Sequence, residues 1–314
     1  MLLALKIDVD TLRGTREGVP ALVELLRRHK AGATFLFSVG PDHTGRAIKR
    51  LFRPGFFSKV QRTSVVKHYG IKTLLYGTLL PGPDIGRRAG HVMRSVRDEG
   101  FDVGVHCWDH VKWQDGLDGA SVDWTREQMH LACQRFTEIF KEPPLTHGAA
   151  GWKMNVHALR LTQALGFEFC SDGRGVFPHL PVWNAELIRC PQIPTTLPTL
   201  DELIGSDGVT EDNVAETLLA MTAAPPSSPV AAAHVFTVHA ELEGMRLAPV
   251  LDKLIVGWKA QGYHITSMRG LYVTLQPLVL PRCEVAPGAI AGRTGTVLCQ
   301  GREFLGDIDL TAAV

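Results

Sequence analysis

The sequence has few features that would take it out of the ordinary globular class. No run of 18 apolar residues occurs, so no segment reads as a transmembrane helix. The six cysteines (Cys107, Cys133, Cys170, Cys190, Cys283 and Cys299) include no Cys-x-x-Cys pair, and a chain of 314 residues needs no disulfide staples. They read as reduced, mostly buried thiols of a cytosolic protein. The opening run Met1 to Asp10 has no basic start and meets carboxylates at Asp8 and Asp10, a poor pattern for a secretory signal. An excess of charge is missing too: 33 Lys and Arg stand against 32 Asp and Glu. Taken as a whole, that balance argues against an anionic partner.

The balance is not uniform. Residues 45–90 hold ten bases and one acid, Asp84, leaving 23 bases against 31 acids elsewhere. The chain is therefore an acidic body with a strongly basic insert.

Along the body, strand-like and helix-like segments alternate. Strands are expected at Leu2 to Asp10, Ala33 to Val39, Phe101 to His106, Phe167 to Asp172, Glu186 to Cys190, His234 to His239 and Tyr263 to Thr266. Helices are expected at Arg16 to Lys30, Asp84 to Glu99, Ser121 to Lys141, Asn155 to Leu165, Thr210 to Thr222 and Leu247 to Gln261. Repeated βα alternation implies a mainly parallel sheet with helices outside, its active site at the C-terminal strand ends. Periodicity leaves open whether the sheet closes into a barrel. Residues 281–314 carry weak signals and read as a C-terminal tail behind a body spanning 1–280.

Three polar groups stand at expected strand ends. In Ile7-Asp8-Val9-Asp10 the two carboxylates are two apart and so share a strand face. In His106-Cys-Trp-Asp-His110 two imidazoles four apart converge if the chain turns into a helix after the strand. His239 ends the apolar run Phe236-Thr-Val-His, with Glu241 just beyond. Alone, the first is more often a cap, the second a pair of surface histidines, the third a core histidine. Together they make an Asp/His/His site for one divalent metal, with a second carboxylate as base and a separate histidine as acid.

The order Asp-x-Asp, His-x-x-x-His and a late Val-His, with Ala33-Thr-Phe-Leu-Phe37, resembles the polysaccharide deacetylase family (NodB homology, carbohydrate esterase family 4). The resemblance implies an α/β fold, a distorted and partly open (β/α) barrel of about seven strands, and metal-dependent hydrolysis of acylated amino sugars. It makes Asp10, His106 and His110 the metal ligands, Asp8 the general base and His239 the general acid. Zinc suits two histidines and an aspartate; cobalt, manganese and nickel are the other candidates. The third motif departs from the family's Arg-x-Pro-Tyr, whose arginine orients the base. Here Thr146-His147-Gly148-Ala149-Ala150 stands instead, leaving His147 or Arg174 as candidates for that task. Asp172 is a candidate partner for an imidazole, and Trp108, Trp113 and Trp152 are candidates either for stacking on a sugar or for core packing.

A narrower resemblance lies in Thr11-Leu-Arg-Gly-Thr-Arg-Glu-Gly-Val-Pro20, Cys170-Ser-Asp-Gly-Arg174 and Thr237-Val-His-Ala-Glu-Leu-Glu-Gly244. These strings are similar to a Gram-negative subfamily that removes formate from 4-deoxy-4-formamido-L-arabinose carried on undecaprenyl phosphate. That subfamily works at the cytoplasmic face of the inner membrane and serves lipid A modification and polymyxin resistance. The basic insert fits such a location. Arg46, Lys49, Arg50, Phe52, Arg53, Phe56, Phe57 and Lys59 combine cations with clustered apolar residues, as in helices lying in a membrane interface. The clustering of the Phe residues argues against nucleic acid, and no protein partner is expected. The alternatives are a deacetylase of another amino sugar or amide, and a membrane-surface protein that keeps the fold without catalysis.

Overall fold

The computed structural model describes residues 1–47, 72–226, 228 and 230–306. Its organising element is β1, Leu2–Val9, apolar except at Lys6 and Asp8 and buried from Leu3 onward. So continuous an apolar run suits a strand covered on both faces. β1 is followed by a π-helical turn at Gly14–Gly18 and by α1, Val19–Arg28, which buries Val19, Leu22, Leu25 and Leu26. β2, Thr34–Ser38, and α2, Ile85–Asp98, come next, then β3, Asp102–Cys107, and α3, His110–Gly116. α4, Val122–Phe140, leads to β4, Thr146–His147, and α5, Val156–Ala164, to β5, Phe169–Cys170. Side chains fix the helix starts: Asp84, Ser121 and Asn155 accept hydrogen bonds from the backbone N–H groups of Arg87, Trp124 and Ala158. Each satisfies a first-turn donor that the helix itself cannot.

After β6, Leu180–Trp183, and β7, Glu186–Leu187, come α6, Leu200–Leu203, and α7, Val214–Met221. β8, Ala233–His239, α8, Ala248–Ala260, β9, His264–Ser267, and α9, Met268–Tyr272, complete the main body. The main sheet is parallel in the order β5-β4-β3-β2-β1-β8, with β9 paired to the lower half of β1. An irregular segment partly bridges its open side. Ile193 donates to the carbonyl of Cys170, and Thr196 and Leu197 donate to that of Val235. The result is the expected α/β architecture, a curled, partly open barrel.

Two expectations need correction. Residues 281–306 are not a weakly structured tail: β10, Arg282–Gly288, and β11, Val297–Glu303, form an antiparallel pair. β10 runs parallel to β6, giving a second sheet in the order β11-β10-β6-β7. Both strands are short and interrupted by Pro287, Gly288 and Gly301, so sequence periodicity is faint. Their burial comes from a distant partner: Val285 and Leu298 pack with Cys170, Ile188 and Cys190. The insert is also shorter than residues 45–90. Ile85 and Ala89 are core residues of α2, and Leu74 is buried in a 3₁₀ turn. Of the residues expected to touch lipid, Arg46 is exposed and donates to the carbonyl of Gly77. Lys49, Arg50, Phe52, Arg53, Phe56, Phe57 and Lys59 lie outside the described residues. Among the described residues, no helix is long and apolar enough to cross a membrane.

The burial of β11 can be measured. Leu298→Ala should cost about 2–5 kcal/mol in denaturant unfolding, as for a core leucine. A cost under about 0.5 kcal/mol, the surface range, would show that the second sheet does not belong to the cooperative unit.

Candidate metal and hydrolytic site

Strand alternation places Lys6, Asp8 and Asp10 on one face of β1 and at its C-terminal end. His106 lies near the end of β3, two strands away, and the chain then turns so that His110 is the first residue of α3. Asp109 makes that turn: its side chain accepts from the N–H of Lys112, and its other oxygen accepts from His43 Nδ1 at 2.6 Å. The two imidazoles stack with centroids 5.4 Å apart.

Asp10, His106 and His110 present ligand atoms that all lie within 4.8 Å of one another. His106 Nε2 is 3.1 Å from Asp10 Oδ1, and His110 Nε2 is 3.4 Å from Asp10 Oδ2. His106 Nδ1 donates to the carbonyl of Gly148 at 2.7 Å, which fixes the tautomer and leaves Nε2 with its lone pair facing the cluster. Asp10 Oδ1 is buried without a hydrogen-bond partner among the described residues. Burial would raise the Asp10 pKa, yet His110 and His106 outweigh it and hold the carboxyl ionised. An unpartnered carboxylate oxygen, a lone pair held by tautomer and a second imidazole fit one divalent cation.

Asp8 is 3 % exposed. Its Oδ1 has no hydrogen-bond partner among the described residues and lies 3.8 Å from His106 Nδ1, and its Oδ2 lies 3.2 Å from Lys6 Nζ. His239, at the end of β8, pairs in register with Asp8. Burial would lower the His239 pKa, but Asp201, Asp10, Glu243 and Asp8 raise it to about 9, with Asp201 Oδ1 3.9 Å from Nδ1. The backbone N–H of His239 donates to Glu243.

Behind the cluster lies Glu241, whose Oε1 accepts from the N–H groups of Asp10 and Thr11 and from the Thr11 hydroxyl. Burial first, and then the charge of Asp10, push its pKa up to about 8. Glu241 approaches so closely that a Cβ on Gly14 would lie 1.9 Å from its Oε1, so only glycine fits there. Glu243 is likewise raised, to about 7, chiefly by burial. Both carboxyls are thus pushed towards their neutral forms, which lessens the repulsion on Asp10.

The candidates for orienting Asp8 fall elsewhere. His147 Nδ1 donates to Asp172 Oδ1 at 2.6 Å, and its ring stacks on Phe167. Asp172 does bind an imidazole, but that of His147; it also accepts from Ala149 and Gln192. Arg174 donates through Nη1 to both carboxylate oxygens of Glu202. Trp152 is 1 % exposed and donates to Thr195, so it is a core residue and no platform for a sugar. Trp113 is buried as well, its indole N–H given to the Lys153 carbonyl. Trp108 is half-buried, with the Arg135 guanidinium 5.2 Å from its ring centre. The residue beside Asp8 is Lys6, which the sequence reading passed over. A lysine two residues before Asp-x-Asp, in phase with it on an otherwise apolar strand, was the available signal.

No family model matches the chain. Curated relatives do. It is 36% identical over 291 residues to the probable 4-deoxy-4-formamido-L-arabinose-phosphoundecaprenol deformylase ArnD of Shewanella sediminis, covering 93% of this chain and 92% of the relative. The chain belongs to the ArnD deformylase family. A second member, from Wigglesworthia glossinidia brevipalpis, is 31% identical across 91% of this chain and 98% of its own length. Among solved structures, a polysaccharide deacetylase from Mycobacterium smegmatis superposes with a TM-score of 0.60 at 16% identity, covering 92% of this chain and 94% of its own. The deacetylase structure T48, with substrate, gives 0.51 at 12% identity, over 88% and 92%. These structures share the barrel with the ArnD family and carry the fold alone.

Metal analysis after dialysis should find about one divalent ion per chain in the wild type and in Asp8→Asn, and none retained by His106→Ala. Retention by His106→Ala would remove His106 from the ligand set.

Proposed function

We propose that this chain is a metal-dependent deformylase acting on 4-deoxy-4-formamido-L-arabinose linked to undecaprenyl phosphate. Formate and the free amino sugar lipid are its products, and lipid A modification and polymyxin resistance its purpose. The observation that carries this reading is the convergence of Asp10, His106 and His110 beside two further titratable groups, Asp8 and His239, in a chain of the ArnD family.

Asp10, His106 and His110 would hold the divalent ion, zinc by donor type or else cobalt, manganese or nickel. When bound, such an ion polarises an amide carbonyl and acidifies water. Asp8 Oδ1, buried and unpartnered, accepts the proton that the attacking water loses. His239, held protonated by the surrounding carboxylates, gives a proton to the amide nitrogen as the C–N bond breaks. Asp201 sets the charge of that histidine, and the backbone contact with Glu243 fixes where strand β8 ends. Water thus supplies its oxygen to formate, and the nitrogen leaves as the free amine carrying the proton from His239.

On this reading the lipid-anchored substrate is met at the cytoplasmic face of the inner membrane, with the cationic stretch 46–59 as the contact. The absence of a membrane-crossing helix among the described residues accords with peripheral attachment.

Formate release from the formamido-arabinose lipid should be abolished by a chelator and restored by added metal. Asp8→Asn should lose about 10²-fold or more in kcat, the usual scale of general base catalysis. Chelator-insensitive turnover would overturn the mechanism. Asp201→Asn removes an anion that keeps His239 protonated, so the alkaline limb of the kcat/KM profile should move to lower pH. An unmoved or upward-shifted limb would remove His239 as the acid.

A further inference from the structure

Lys6 is fully buried, and a buried ammonium is stable only when paired. Its Nζ lies 3.2 Å from Asp8 Oδ2 and 5.1 Å from the centre of the Trp152 ring. The space it occupies depends on a neighbour. A Cβ on Gly148 would stand 2.9 Å from Lys6 Cε and 2.3 Å from Leu36 Cδ1. Gly148 is also the residue whose carbonyl holds His106. One glycine therefore serves the base and the imidazole together: its missing side chain admits the lysine and its backbone sets the tautomer.

The pairing divides the two oxygens of Asp8. Oδ2 lies at ion-pair distance from the ammonium, while Oδ1 has no hydrogen-bond partner among the described residues and lies 3.8 Å from His106 Nδ1. A carboxylate free to rotate would expose either oxygen and lose the orientation that proton abstraction needs. We infer that Lys6 is a positioning residue for the base: it anchors Asp8 through Oδ2 so that Oδ1 meets the attacking water. The inference rests on the reading of Asp8 as base. It assigns to β1 itself, two residues upstream of the base, the cation that the third motif does not supply.

The test is a double-mutant cycle on full-length, metal-loaded protein with Lys6→Met, Asp8→Asn and both together. Lys6→Met should lower kcat about 100-fold, with KM and metal content within about twofold of wild type, because the lysine acts on proton transfer and neither on binding nor on the ligands. The charge-retaining Lys6→Arg should recover at least about tenfold of that loss. The double variant should be no slower than Asp8→Asn, since a residue acting through Asp8 has nothing left to position. Lys6→Met within about threefold of wild type, or losses that multiply in the double variant, would overturn the inference. Thermal unfolding gives an arm independent of substrate. Lys6→Met leaves Asp8 buried and unpaired and should lower Tm by about 6 °C or more, and adding Asp8→Asn should recover part of the loss. If Lys6→Met alone does not fold, recovery of folding in the double variant supports the pair, and absence of any recovery overturns it. Wild-type protein that releases no formate would defeat the functional reading, and the thermal cycle would still decide for or against the Lys6–Asp8 pair.

Discussion

The structure turns on the burial of charge along β1. A central strand of a parallel sheet is covered on both faces and ordinarily carries only apolar residues. Here Lys6, Asp8 and Asp10 share one face of that strand, each less than a tenth exposed. Ionised groups so placed need compensation, and the elements around β1 supply it. β1 brings its own ammonium, β3 and α3 bring two imidazoles to Asp10, and β8 brings a histidine held cationic. Glu241 and Glu243, which would add two more anions, are pushed towards their neutral forms by burial. The barrel is in this sense a scaffold for holding two carboxylates side by side, out of water.

The same requirement explains the local sequence. Asp10 and Thr11 give their backbone N–H groups to Glu241, and Leu12 gives its own to Asp42. The chain leaving β1 is thus pinned on both sides before it enters the π-helical turn. Gly14 is there because Glu241 occupies the space a side chain would take. These contacts keep the Asp10 carboxylate from drifting away from His106 and His110. Residues far apart in the chain, 10–14 and 241, act as one unit through a single buried carboxylate.

Much of this was legible in the sequence. The barrel strands and helices showed in hydrophobic period and in their caps, because each buries a regular face or starts at an Asp, Ser or Asn. Asp8, Asp10, His106, His110 and His239 stood out because functional polar residues gather at the ends of parallel strands, and the structure brings all five together. What was not legible depends on contacts across long separations. The strands within 281–306 carry little pattern of their own and owe their burial to β6 and to the Cys170 region. Arg174 and His147 looked available to Asp8 until their own partners, Glu202 and Asp172, were seen to occupy them. Lys6 was hidden for the opposite reason. A lysine in a strand usually marks an exposed edge, and only the fold shows that this one points inward.

Trp152 shows how the second sheet is joined to the site. Its indole has Lys6, Arg174 and Arg293 within 4.7–5.1 Å of the ring centre and the edge of His239 against it. Cation–π contacts of this kind contribute about 0.5–2 kcal/mol each, more when desolvated, as here. Glu202 pairs with both arginines, so three cations are packed about one ring at the cost of one buried carboxylate. Arg293 comes from the loop between β10 and β11, and the backbone of Arg174 is hydrogen-bonded to β11 at Leu298 and Gln300. The C-terminal strands therefore bear on the same indole that Lys6 approaches. Through that ring, a region with almost no periodic signal bears on the surroundings of Lys6 and Asp8.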